Sequence, residues 1–159
     1  MTHVFAEAGS SLQQVGGACP DDWIVMQGER PTADHIAQAD GTWSLPALDY
    51  PAVIAARRYE AEVSGIDISG LHVATDDRSK LLINGAAVEA MLDPDYQMQW
   101  KTPAGFVELT ASQVLAVARA VRAHVQACFD REAELLAELE AGTFTEAILD
   151  QGWPVPQSS

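Results

Sequence analysis

The chain has 159 residues, of which 23 are acidic and 9 are lysine or arginine, for a formal net charge of −14 at pH 7. So acidic a balance argues against unassisted binding to nucleic acid or to anionic membranes, which need clustered lysine and arginine, and favours a basic partner or none. With 48% hydrophobic and 20% charged residues, the composition is that of a globular chain, long enough for one domain or a domain with a small extension.

Only Cys19 and Cys128 are present, far apart. That is too few for a disulfide framework and predicts a reducing compartment. The opening MTHVFAEAGSS lacks both a basic region and an apolar run, so no signal peptide is expected. No apolar stretch approaches the roughly 20 residues of a membrane span.

Residues 1–46 are short on helix signal. His3 to Ala6 suits a short strand, and Trp23 to Gln27 is rich in β-formers between a Cys19-Pro20-Asp21-Asp22 turn and Gly28. His35 to Ala39 runs into Asp40-Gly41, a preferred tight-turn pair, with Thr42 to Leu45 beyond it. That is a hairpin signal. This small β-rich unit is expected to end at about Pro46.

A second unit is expected over 47–144. Asp49 is a plausible N-cap with Pro51 early in the helix, and Pro51 to Val63 reads as a helix closed by Gly65. Val53, Ala56, Tyr59 and Val63 share one face of it. Ile66, Ile68, Leu71 and Val73 around Gly70 then suit a strand or hairpin. Lys80 to Leu92 suits a short helix weakened by Asn84-Gly85. Tyr96 to Trp100 and Phe106 to Leu109 flank a Thr102-Pro103-Ala104-Gly105 loop and read as a second hairpin.

The longest element follows. Thr110 and Gln113 have the spacing of a capping box, Gly142 can take the left-handed conformation that ends a helix, and neither proline nor glycine intervenes. Val114, Ala118, Val121, Val125 and Cys128 repeat at steps of four and three, Leu135 and Leu139 resume the row, and Leu115, Phe129 and Leu136 widen it. A helix over 110–141 would be roughly 45 Å long. It is either the spine of a small domain or an arm for helix–helix packing with another copy. Residues 145–159 form a tail with a weak helical piece at Thr145 to Leu149, ending extended around Trp153.

Catalytic and metal motifs are sparse. His124 and Cys128, four apart on the long helix, could share a face, but two ligands do not make a zinc site and no CxxC or HExxH supplies the others. Asp76, Asp77, Arg78 and Ser79, near His72, resemble a polar loop but are ordinary chemistry for a helix start. There is no GxSxG elbow and no glycine-rich phosphate loop. The expectation is a non-enzymatic protein with no catalytic residue, metal or cofactor.

Two features point to protein contacts instead. Asp130, Glu132, Glu134, Glu138 and Glu140 crowd the C-terminal half of the long helix, the unfavourable end for acids; they form a solvated face, or one complementary to a basic partner or to Arg57 and Arg58 of the earlier helix. Glu132 falls in the apolar row itself, so it is either paired or marks where the row leaves the core. Trp23, Trp43 and Trp153 are candidate interface anchors. Trp23, Trp43, Glu132, Glu134, Glu138 and Trp153 are therefore the candidate partner-binding residues.

From about Ala55 to Glu140 the chain carries ARRYEAEVSGIDISG, HVATDDRSK, MQWKTPAGFVELTASQV and AVRAHVQACFDREAEL. In these stretches it resembles the domain of unknown function DUF4376, which occurs in proteins of tailed phages and prophages. The N-terminal WIVMQGERP and QADGTW are similar to the β-rich leaders of tail-fibre and tail-fibre assembly proteins. The resemblance implies a phage-tail context and brings no catalytic residues. Within it, the expected function is a tail-fibre assembly chaperone in the host cytoplasm, its partner a tail-fibre or baseplate protein. The alternative is a structural tail or baseplate component retained in the virion. The expected fold class is α+β.

Overall fold

A computed structural model describes residues 2–154. The chain divides into two compact units, Met1–Leu48 and Asp49–Ser159, and the fold is α+β.

In the first unit Val4–Ala6 (β1) is the middle strand of a three-stranded antiparallel sheet, flanked by Gln14–Val15 (β2) and Ile24–Met26 (β3). Val4 lies opposite Val15 and Met26, and Phe5 opposite Gln14 and Val25. All three β1 residues are buried, as a central strand covered on both faces requires. Ile36–Ala37 (β4) and Trp43–Ser44 (β5) form the hairpin expected around Asp40-Gly41. The Asp40 carboxylate accepts from the Thr42 amide at 3.0 Å and from its hydroxyl at 2.6 Å, an Asx-type brace across the turn. Gly41 sits at φ +81° and its carbonyl accepts from the Gln27 amide at 2.8 Å, so the turn is also held to the end of β3. Val4, Ala6, Met26 and Ala37 form the core, with Ile24 and Trp43 against it.

The second unit opens with helix Tyr50–Glu62 (α1). Asp49 caps it, its carboxylate accepting from the Ala52 amide at 3.2 Å. The buried positions are Ile54, Ala61 and Glu62, not the Val53, Ala56, Tyr59 and Val63 face. Ala56 and Tyr59 are exposed. The apolar pattern misses this face because Arg58 and Glu62 lie on it as a paired couple.

A hairpin of Ile66–Ile68 (β6) and Leu71–Val73 (β7) follows. The buried Thr75 hydroxyl donates to the Glu62 carbonyl at 2.6 Å and accepts from the Gly65 amide at 2.9 Å, tying the end of α1 to the chain that leaves the hairpin. Helix Asp77–Leu92 (α2) is capped by Asp76. It runs unbroken through Asn84-Gly85, longer than the short helix expected, because Ile83, Ala86 and Ala90 anchor it on the core; packing outweighs a glycine cost of about 1 kcal/mol.

Gln97–Thr102 (β8) and Gly105–Thr110 (β9) pair in register from Gln97–Thr110 to Thr102–Gly105. Thr110 ends the hairpin and at once caps helix Ala111–Ala141 (α3), completing the capping box with Gln113. Gly142, at φ +74°, closes α3, and the amides of Thr143 and Phe144 return to the Glu138 carbonyl.

α3 is the spine of its own domain. Its first half packs with α2 and both hairpins through Val114, Val117, Val121 and Val125. Its second half packs with α1 through Cys128 and Leu135. The weak helical piece expected at Thr145 to Leu149 is a 3-10 turn at Glu146–Ile148, but the ending expected to run extended around Trp153 folds back, so that Phe144, Ile148, Leu149 and Trp153 join that second cluster. The part of the expected extended ending beyond Pro154 lies outside the described residues. Among the described residues no helix is long and apolar enough to cross a membrane.

Candidate interaction surface

The polar centre of the second unit lies where α1, α2 and α3 meet. Glu62, only 6% exposed, receives hydrogen bonds from Arg58 and Lys80. Arg58 also donates Nε to Glu132 at 3.0 Å, and Lys80 pairs with Asp77 at 2.9 Å. Tyr59 donates its hydroxyl to Asp77 at 3.0 Å. The Arg58 guanidinium lies 4.5 Å from the Phe129 ring centroid, a cation–π contact.

Burial pushes the Glu62 carboxyl up, but the hydrogen bonds and charges of Lys80 and Arg58 outweigh it and hold the pKa below its ordinary value. Burial likewise lowers Lys80, and its bonds to Glu62 and Asp77 more than reverse this, raising it. No buried side-chain nitrogen or oxygen among the described residues is left without a hydrogen-bond partner. This satisfied network positions three helices.

Next to it, His124 donates Nε2 to the Ala61 carbonyl at 3.0 Å, and Cys128 Sγ sits 3.9 Å from the same nitrogen. Burial, with the nearby Glu62 charge, pushes the Cys128 thiol up to about 11. Among the described residues no three His, Cys, Asp or Glu side chains come together as a metal site. His72 lies in the β6–β7 hairpin, its Nδ1 3.0 Å from Asp67. Asp76 caps α2.

The outward side of α2 is of another kind. Leu81 is 72% exposed, Leu82 57%, Val88 52%, Met91 69% and Leu92 74%. Five large apolar side chains on one helix exceed the scattered exposure ordinary for a soluble surface. Hollows run on both sides of this ridge. Towards β8, a groove of about 570 Å³ is lined by Leu82, Ala86, Tyr96, Met98 and Trp100, with Glu89 and Lys101 among its polar groups. Towards α3, a groove of about 550 Å³ runs between Met91 and Leu115, with Arg119 and Arg122 beside it. On β9, Phe106 is also exposed.

The six residues predicted to bind a partner are dispersed. Trp23 and Trp43 belong to the first unit and are half-buried; Trp43 packs on that unit's core and donates Nε1 to the Gly28 carbonyl at 2.9 Å. Glu132 is half-buried and paired with Arg58, which accounts for its place in the apolar row. Glu134 pairs with Arg131 at 2.9 Å, and Glu138 accepts from the Thr143 hydroxyl; both are exposed. Trp153 is buried, its indole donating to the Leu149 carbonyl at 2.6 Å, with Arg57 5.7 Å from the ring centroid. It anchors its own domain because the chain turns back at Gly142, a turn that proline-flanked tail composition does not reveal.

The ridge of α2 escaped sequence reading because Leu82 and Met91 suit a buried face as well as an exposed one. A count of large apolar residues around the whole circumference of α2 would have signalled it, since Ile83, Ala86 and Ala90 already supply a complete inner face.

Fold and surface together describe an α+β domain with a buried apolar core, a polar network that joins its three helices, and a row of apolar side chains left exposed on α2. Residues 49–151 match the family described as Domain of unknown function (DUF4376), and the chain belongs to it. Neither a curated protein nor a solved structure matches the chain.

Proposed function

We propose that this chain is a non-enzymatic protein-binding protein of tailed phages, an assembly chaperone that holds a tail-fibre protein in the host cytoplasm during folding or attachment. The phage setting is carried over from the family resemblance. The observation that supports binding is the open groove between α2 and β8, with Leu82, Met98 and Trp100 along it and Glu89 and Lys101 among its polar groups. Such a groove suits an apolar segment of a partner not yet packed in its own fold. The acidic surface keeps the carrier soluble meanwhile.

The test pairs mass spectrometry of salt-washed particles with a pull-down from phage-infected lysate. Recovery of a fibre protein, absence from the particle, and loss of capture with Leu82→Glu are expected. Presence in the particle at fixed copy number would replace the chaperone by a structural tail or baseplate component. Capture unaffected by Leu82→Glu would remove the groove from the reading.

A further inference from the structure

One wall of the groove between α2 and β8 is the edge of a strand. The groove is lined by Met98, Gln99, Trp100 and Lys101 in unbroken succession. Successive residues of a strand point to opposite faces, so a hollow touching one face alone would meet every second residue. The hollow beside the β6–β7 hairpin does so, meeting Val107 and Leu109 of β9. The groove at α2 instead runs along the margin of β8.

That margin is unbonded. Among the described residues no backbone hydrogen bond joins β8 to any strand except β9. In an antiparallel pair, facing residues exchange their backbone bonds at every second position. Thr102 faces Gly105 across a two-residue turn, which makes theirs a bonded pair. Counting back from it, Trp100 and Met98 also bond to β9. Gln99 and Lys101, both exposed, therefore turn their amides and carbonyls away from β9, to the side where the groove lies.

We infer that the groove takes its partner as an extended strand, added to β8 as the third strand of the β8–β9 sheet. The inference rests on the reading of this groove as the binding site and specifies the segment it takes. The added strand bonds through its backbone to Gln99 and Lys101. Its alternate side chains enter between Leu82 and Ala86 of α2 and Met98 and Trp100 of β8, and the others stay in water. The segment is thus apolar at every second residue, not throughout. A helix seated in the groove would leave the β8 edge unpaired. Opposite that edge the groove is lined by Gly85, where a Cβ would have nothing within 4 Å, so the helix wall leaves room for a passing backbone.

Amide exchange followed by NMR on the full 159-residue chain tests it, with a peptide of alternating valine and threonine as probe. A peptide of the same composition with its valines adjacent is the control. Exchange at Gln99 and Lys101 should slow about tenfold when the alternating peptide stands at about ten times its Kd. The outward amides of β9, at Phe106 and Glu108, should not change. Gln99→Pro removes one outward amide and no β8–β9 bond, so its circular dichroism should be unchanged. Its affinity for the peptide should fall about fivefold, the scale of one hydrogen bond. If that variant does not fold, the exchange pattern of the wild type decides. No binding at millimolar peptide, binding without protection at Gln99 and Lys101, equal binding of the control, or a folded Gln99→Pro with full affinity would overturn the inference. A fibre protein captured with these amides unprotected would leave the proposed function standing without strand addition. Strand addition by the peptide with no fibre protein captured would do the reverse.

Discussion

Arg58 of α1 reaches Glu132 in the middle of α3, Nε to Oε2 at 3.0 Å, while its Nη1 closes on Glu62 and its guanidinium lies over Phe129. One guanidinium therefore serves two carboxylates and an aromatic face. Lysine offers no planar fork for this, so the junction depends on arginine at that position.

Removing the carboxylate at its centre should be costly. Glu62→Gln leaves Arg58 and Lys80 facing a neutral amide in a buried site, and a loss of about 3 kcal/mol is expected. Urea unfolding of both proteins measures it.

The same residue gives a pH dependence. Its folded pKa lies below its ordinary 4.5, so its contribution is present above that value and lost as pH falls through the lowered one. Between about pH 5 and pH 3 the wild type should lose more stability than Glu62→Gln. The difference between the two isolates Glu62 from the relief of general acidic repulsion. Parallel curves would contradict the assignment.

Trp153→Ala should act on folding. The indole is buried against Ile54 and Leu135, and truncation of a buried tryptophan costs about 3–5 kcal/mol. Denaturant unfolding of unit Asp49–Ser159 within the full chain should show the shift with no partner present.

The two thiols should react differently. Cys19 is exposed and Cys128 is buried with its pKa raised to about 11. At pH 8 one equivalent of a thiol reagent is expected to react quickly, with the second reacting only on unfolding. Two fast equivalents would show that the α1–α3 core is open.

Gly41→Ala should disturb the first unit. At φ +81° a Cβ would stand 2.7 Å from the Val25 carbonyl oxygen, a backbone atom that cannot swing aside. A cost of about 2 kcal/mol or more is expected, seen as lost protection of the Gln27 amide in hydrogen exchange.

Much of the architecture was legible because local chemistry and tertiary packing agree. Asp49, Thr110 and Gly142 terminate helices by hydrogen bonds within a few residues, which spacing reveals. Both hairpins of the second unit show alternation and turn residues together. Where tertiary contacts decide, the pattern misled. The inner face of α1 carries Arg58 and Glu62, apolar periodicity assigns such residues to solvent, and the face was read one position off. The β2 strand, two residues long, exists only through its pairing with β1 and has no signal of its own. Trp153 was placed on a free tail because its partners, Ile54 and Leu135, are distant in sequence. Of the surface described here, the acids of α3 were legible but the α2 ridge was not, since composition cannot say which side of a largely apolar helix is covered.

The return of the chain after Gly142 bears on how the domain is made. Arg131 donates to the carbonyls of Ile148 and Gln151, Arg57 pairs with Asp150, and Tyr50 donates to Glu146, so the first turns of α1 are fastened by some of the last residues described. During synthesis the β-rich unit and the core around α2 can close early. The α1–α3 cluster lacks one of its buried members until Trp153 has emerged, so its apolar seam is complete only at the end of synthesis.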